Sequence, residues 1–170
     1  QLLLAGVWLA CRLAPAQHMA QAPFPGLNAT AYHLLPATHS DESGYHSLCQ
    51  GLNGKLYLGT AAFGRNAYLV EYDPRLQSQR IVIDTNALCG LTATGYAAQA
   101  MIRTRNSVGA SGTIYVGSRQ GYRPEGDTGT YPGGYVMSYN PQTDTAKNLG
   151  MPVPGEGVSD VTADEARGLL

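Results

Sequence analysis

Apolar and polar residues change places in short bursts between residues 45 and 150, not at helical spacing. Tyr68, Val70 and Tyr72 fall on one side of an extended chain and Leu69 and Glu71 on the other, a period of two. Spans rich in Tyr, Val, Ile and Leu, separated by turn residues, predict strands near 45–49, 55–60, 67–72 and 79–84. Further strands are predicted near 101–105, 113–118, 134–139 and 145–150, with one more near 158–162. Asn53-Gly54 marks a hairpin turn, because glycine takes the positive φ required there without strain. Asp73-Pro74 and Asn140-Pro141 open the other tight turns, where Asp or Asn bonds the backbone ahead of it and Pro pre-sets φ.

These elements recur in order. Gly54-Lys55-Leu56-Tyr57-Leu58-Gly59-Thr60 returns as Gly112-Thr113-Ile114-Tyr115-Val116-Gly117-Ser118. Ala67-Tyr68-Leu69-Val70-Glu71-Tyr72-Asp73-Pro74 returns as Gly134-Tyr135-Val136-Met137-Ser138-Tyr139-Asn140-Pro141, after a longer insertion. Residues 164–170 parallel residues 50–56, as if a third copy began there. A four-stranded sheet with two apolar faces cannot bury both alone, so such units are expected to stack side by side around an axis. Successive hairpins folded into one sandwich or barrel are the alternative.

The two matched blocks, with Arg103-Thr104-Arg105-Asn106-Ser107 and Tyr131-Pro132-Gly133-Gly134-Tyr135, resemble the kelch- or quinoprotein-like repeats of exported bacterial β-propellers. The resemblance implies an all-β fold: about two four-stranded antiparallel blades plus the start of a third, from a ring of about six to eight blades. The expected organisation is a signal-peptide remnant at 1–22, a Pro-rich lead-in at 23–44 and an incomplete propeller at 45–170. Within the last, one blade spans 45–84, a linker 85–100, a second blade 101–150, and 151–170 opens the next. The resemblance identifies a superfold and not a chemistry. The family includes polysaccharide lyases as well as proteins without known activity.

Composition narrows the functional classes. Lys+Arg 11 against Asp+Glu 12 leaves a formal charge of -1, and the only lysines are Lys55 and Lys147, so no basic stripe exists to neutralise nucleic-acid phosphates. Gly 21 and Pro 10 suit a turn-rich β protein. The apolar run from Leu2 to Cys11 is too short to span a bilayer and is followed by Ala14-Pro15-Ala16, which predicts a secretory signal and a secreted or periplasmic location. A buried helix or strand is a second reading of that run, and a lipid-modified Cys11 a third. Export would permit a bridge between Cys49 and Cys89, but buried free thiols fit their apolar neighbours equally well. Asn28-Ala29-Thr30 matches a glycosylation acceptor.

The longest connections, 85–100 and 119–133, are expected on one face of the domain, where loops carry function. The second holds Arg119, Tyr122, Arg123, Glu125, Asp127 and Tyr131 as candidate ligand-binding residues. Tyr faces suit stacking on sugar rings, and Arg clamps a carboxylate in bidentate fashion. His46, Arg103 and Arg105 are candidate catalytic residues: an imidazole to abstract a proton, and guanidinium groups to neutralise a substrate carboxylate. No second His stands at ligand spacing and no metal is expected; a cofactor is left undefined. Nucleophile-elbow, phosphate-loop, metalloprotease and haem-attachment motifs are absent from the sequence. The readings are an exported propeller binding a polar ligand such as a carbohydrate, a lyase acting on acidic glycans, a non-catalytic scaffold for another exported protein, or a propeller with a redox cofactor in its channel.

Overall fold

The computed structural model describes Gly26, residues 30–39, Glu42 and residues 47–170. The apolar run at 2–11, Asn28 and His46 lie outside the described residues. Residues 33–170 form a unit separate from 1–32 and contain all the regular structure described below.

The first sheet is an antiparallel meander of β1 (Leu48–Gln50), β2 (Leu56–Gly59), β3 (Tyr68–Asp73) and β4 (Ser78–Asp84). Its register places Cys49, Tyr57, Glu71 and Arg80 opposite one another on consecutive strands. Gly54 has φ 78°, the left-handed conformation expected of the hairpin turn, and the Asn53 side chain accepts from Lys55 N. In the β3–β4 turn the Asp73 carboxylate accepts from Arg75 N and Leu76 N. Asn140 accepts from Gln142 N and Thr143 N in the matching turn of the second sheet.

A short helix follows where the sequence suggests only a linker. It is α1 (Thr85–Cys89), capped by the Asp84 carboxylate, which accepts from Asn86 N and Ala87 N, and closed by Gly90 at φ 67°. Acid at the cap and glycine at the exit are standard helix boundaries; five residues are too few for a periodic signal.

The second sheet comprises β5 (Met101–Ile102), β6 (Ser107–Val108), β7 (Ile114–Arg119), β8 (Val136–Asn140) and β9 (Thr145–Gly150). Both β5 and β6 pair with β7, so the single strand expected at 101–105 is divided. The divider is Thr104, whose hydroxyl accepts the hydrogen bond from Gly117 N in place of a backbone carbonyl. The strand expected at 158–162 is absent; Val158 N bonds Ser118 O, and only an isolated bridge joins Asp164 to Leu169.

Tyr57, Leu69 and Ile83 of the first sheet meet Ile114, Val116, Met137 and Tyr139 of the second in one buried cluster. Gly59 allows the approach, because a Cβ there would collide with the Ile102 carbonyl oxygen. A polar row runs through the same contact. Glu71, 3% exposed, accepts from Lys55 Nζ at 2.8 Å, Arg80 Nε at 2.8 Å and Tyr57 OH at 2.9 Å. Arg80 continues to Tyr139 OH at 2.6 Å and Asp144 at 2.8 Å.

The propeller expectation is therefore corrected. The chain forms two separate antiparallel sheets, neither of them closed, with one short helix. Among the described residues the larger of two buried clusters lies between these two sheets, whereas a ring requires every sheet to have neighbours on both faces. Strand periodicity and turn chemistry determine the meanders, but they carry no information on closure, and the kelch-like resemblance overreached at that point. Cys49 and Cys89 are free thiols, each pushed up to about 11 by burial.

Candidate functional site

The connection 85–100 and the loop 119–133 meet at one end of the second sheet. Their junction is a fully buried glutamine in the run Ala97-Ala98-Gln99-Ala100. Gln99 Nε2 donates to Gly133 O at 2.8 Å; its Oε1 accepts from Ser118 Oγ at 2.7 Å and from Tyr131 OH at 2.8 Å. Every polar atom of the amide is engaged, as burial demands.

Asp127 makes the second tie. Its carboxylate accepts from Tyr96 N at 2.8 Å and from Gly129 N at 2.6 Å, and these backbone bonds, that from Tyr96 foremost, hold it below the usual carboxylate range. Arg123 lies 3.8 Å above the Tyr96 ring and donates to the carbonyls of Asp127 and Gly129. Stacking of a guanidinium on a phenol fixes its plane and leaves its edge for other acceptors.

A pocket of about 290 Å³ opens beside this junction, lined by Tyr96, Arg103, Arg119, Gln120, Tyr122 and Arg123 among others. Arg103 comes from just beyond β5 and Arg119 from the end of β7, so the two rigid strands carry two of its three cations. Neither side chain makes a hydrogen bond or ion pair among the described residues, and Arg119 Nε and Gln120 Oε1 are buried without a partner. No carboxylate lines the pocket.

The expected site residues divide accordingly. Arg103, Arg119, Tyr122 and Arg123 come together around the pocket. Arg105 does not: it is exposed and paired with Asp160 at 2.8 Å. Tyr131 is 4% exposed with its hydroxyl on Gln99, so its face cannot receive a sugar, and burial pushes its phenol upward. Tyr122 sets its ring edge-to-face with Phe63 at 5.1 Å. Asp127 is spent on ordering the loop, and Glu125 is exposed. His46 lies outside the described residues. Sequence reasoning missed Tyr96, Gln120 and Gln99; a lone amide within an alanine-rich run was the one available signal for the last.

The functional expectations are corrected with the fold. The two-tyrosine platform expected for a carbohydrate does not assemble, since Tyr131 is buried and leaves only the exposed Tyr122, set edge-to-face on Phe63. Among the described residues the two guanidinium groups expected of a lyase do not converge, with Arg105 held by Asp160 and outside the pocket that Arg103 lines, and no group of metal-ligating side chains occurs. The loop 119–133 is tied down by Gln99 and Asp127, unlike a freely presented scaffold loop. Among the described residues no helix is long and apolar enough to cross a membrane. No family model, no curated protein and no solved structure matches the chain.

Proposed function

We propose that this protein is a binding module that retains a small anion, carrying a carboxylate or phosphate group, in the pocket between Arg103, Arg119 and Arg123. The observation behind it is the convergence of Arg103 and Arg119, both without a carboxylate partner among the described residues, on one cavity. Cations sharing a small concave site repel each other, and an anion placed between them converts that repulsion into attraction. Guanidinium groups match the two oxygens of a carboxylate or phosphate bidentately, and the Tyr96 and Tyr122 rings supply the apolar walls of an ordinary ligand pocket. The volume admits a compact ligand and not a chain of sugars. The walls offer donors and aromatic surface but no carboxylate, imidazole or thiol, a composition suited to recognition.

The test is calorimetric titration at low salt with inorganic phosphate and, separately, citrate. Saturable binding that weakens as salt rises, and falls about tenfold or more in an R103M/R119M double variant, is the expected result. R103K, which keeps the charge but loses the fork, is expected to lie between. No heat from either anion, or equal binding by the double variant, would refute the proposal.

A further inference from the structure

The two faces of the second sheet are unequally served. Its inner face covers the first sheet's row Tyr57–Glu71–Arg80, and the cation at the end of that row is received by a tyrosine–carboxylate couple. Arg80 donates to Tyr139 OH at 2.6 Å and to Asp144 at 2.8 Å, while Tyr139 OH donates to the same Asp144 oxygen at 2.7 Å.

The outer face carries a row at the matching rungs: Tyr115 on β7, Ser138 on β8 and Lys147 on β9, directly opposite one another by register. The same three ingredients are present. Tyr115 OH donates to Glu165 at 2.9 Å, and Ser111 donates to that carboxylate through both its amide and its hydroxyl, which hold it below the usual range and therefore charged. The Lys147 side chain, however, is exposed and makes no hydrogen bond or ion pair among the described residues. An open cleft of about 850 Å³ lies over the row, with Leu149 43% and Leu169 59% exposed at its rim. An apolar rim around an unused cation marks a surface made for contact.

The geometry points to a second copy of this chain as the occupant, docked outer face to outer face about a two-fold axis. The couple Tyr115–Glu165 and the cation Lys147 stand at opposite ends of one row, with the small Ser138 midway. An axis running along β8 past Ser138, between two facing sheets, exchanges those ends. Each Lys147 then lies over the Tyr115–Glu165 couple of the second copy, and the two Leu149 side chains are covered in the same contact. Self-complementarity of this kind is what an isologous interface requires. The arrangement repeats, between copies, the reception of Arg80 by Tyr139 and Asp144 within one chain. Opposite charges across the contact fix its register, and the apolar rim supplies its burial.

Sedimentation equilibrium of the full chain over a range of concentrations tests this. A reversible monomer–dimer equilibrium is expected. K147E and E165K should each weaken it by roughly thirtyfold or more, because each sets like charges against each other at both ends of the row. Mixing the two variants should restore dimers: in the heterodimer the two introduced charges, opposite in sign, face each other at one end of the row, and the native Glu165 faces the native Lys147 at the other. L149D, which touches neither charge, should weaken the dimer with native far-UV circular dichroism. A chain monomeric at all concentrations, or variants that fail to recover on mixing while remaining folded, would overturn the proposal and leave the face to a different polypeptide.

Discussion

Replacing Glu71 by Gln tests whether the contact between the two sheets is organised around a buried charge. The carboxylate is 3% exposed and accepts three hydrogen bonds, from Lys55, Arg80 and Tyr57. Burial works to raise its pKa, but the bonds from Arg80, Lys55 and Tyr57 outweigh burial and set it below the ordinary 4.5. Gln preserves the shape and turns one acceptor oxygen into a donor, so at least one of the three partners then faces a donor. Hydrogen bonds to charged groups contribute about 1.5–3 kcal/mol each, and removing one member of a buried ion pair costs about 3–5 kcal/mol. Here the cations have a retreat: Lys55 is 31% and Arg80 45% exposed, and Arg80 keeps Asp144. The expected loss is therefore at the lower end, about 2–3 kcal/mol, or on the order of 5–10 °C in Tm for a domain of this size.

Urea unfolding followed by far-UV circular dichroism at several pH values measures this directly. A carboxyl whose folded pKa lies below its unfolded value stabilises the fold fully above the unfolded pKa, and that contribution disappears as pH falls through the folded pKa. The gap between wild type and E71Q should be complete at pH 7 and begin to close below about pH 4.5. Asp73 and Asp144 also titrate low, but both are present in each protein, so the difference isolates Glu71. A gap under about 0.5 kcal/mol at pH 7, or one unchanged at pH 3.5, would refute the reasoning.

Two further outcomes follow from buried groups. Q99L should destabilise by about 2–4 kcal/mol, because it leaves the buried Tyr131 OH and Gly133 O without their partner, while Ser118 Oγ keeps the bond from Tyr135 N; limited proteolysis should then cut within 119–133, and unchanged resistance would count against Gln99 as the loop's anchor. In a C11S background, Cys49 and Cys89 should react with Ellman's reagent at pH 8 only slowly, since a thiol pKa of about 11 leaves about one molecule in a thousand as thiolate. Rapid reaction of the folded protein would contradict their burial.

The strands were legible because their signals are local. Alternation in residues 67–72 and the pairs Asn53-Gly54, Asp73-Pro74 and Asn140-Pro141 act over a few residues, and the observed strands lie within a few positions of those expected. The errors occur where a side chain or a distant contact decides. Thr104 breaks a strand by lending its hydroxyl to Gly117 N, which no propensity records. The apolar segment near 158–162 pairs through one backbone bond from Val158 and stops. Recurrence of one meander was readable, but a recurring unit can stack, pair or remain open. Only the count of faces that find a partner separates a ring from the two unclosed sheets seen here.

Charge behaves in the same way, and it explains why the arginines were found while their roles were not. Arg105 and Arg103 are two positions apart and looked equivalent, yet Arg105 is engaged by Asp160, 55 residues along the chain. Arg80, in a strand that suggested nothing but structure, is the cation most deeply committed, through Glu71 and through Asp144 at a separation of 64. Whether a basic side chain is available thus depends on which acidic residue the fold brings to it, a long-range property that spacing cannot reveal. Among the described residues, a cation that the fold leaves over a cavity without an acid is therefore the informative one. Arg103 and Arg119 stand over a pocket too small for a macromolecule, whereas Lys147 stands over an open face flanked by leucines. The same unmet charge accordingly calls for a small anion in the first place and for a protein surface in the second.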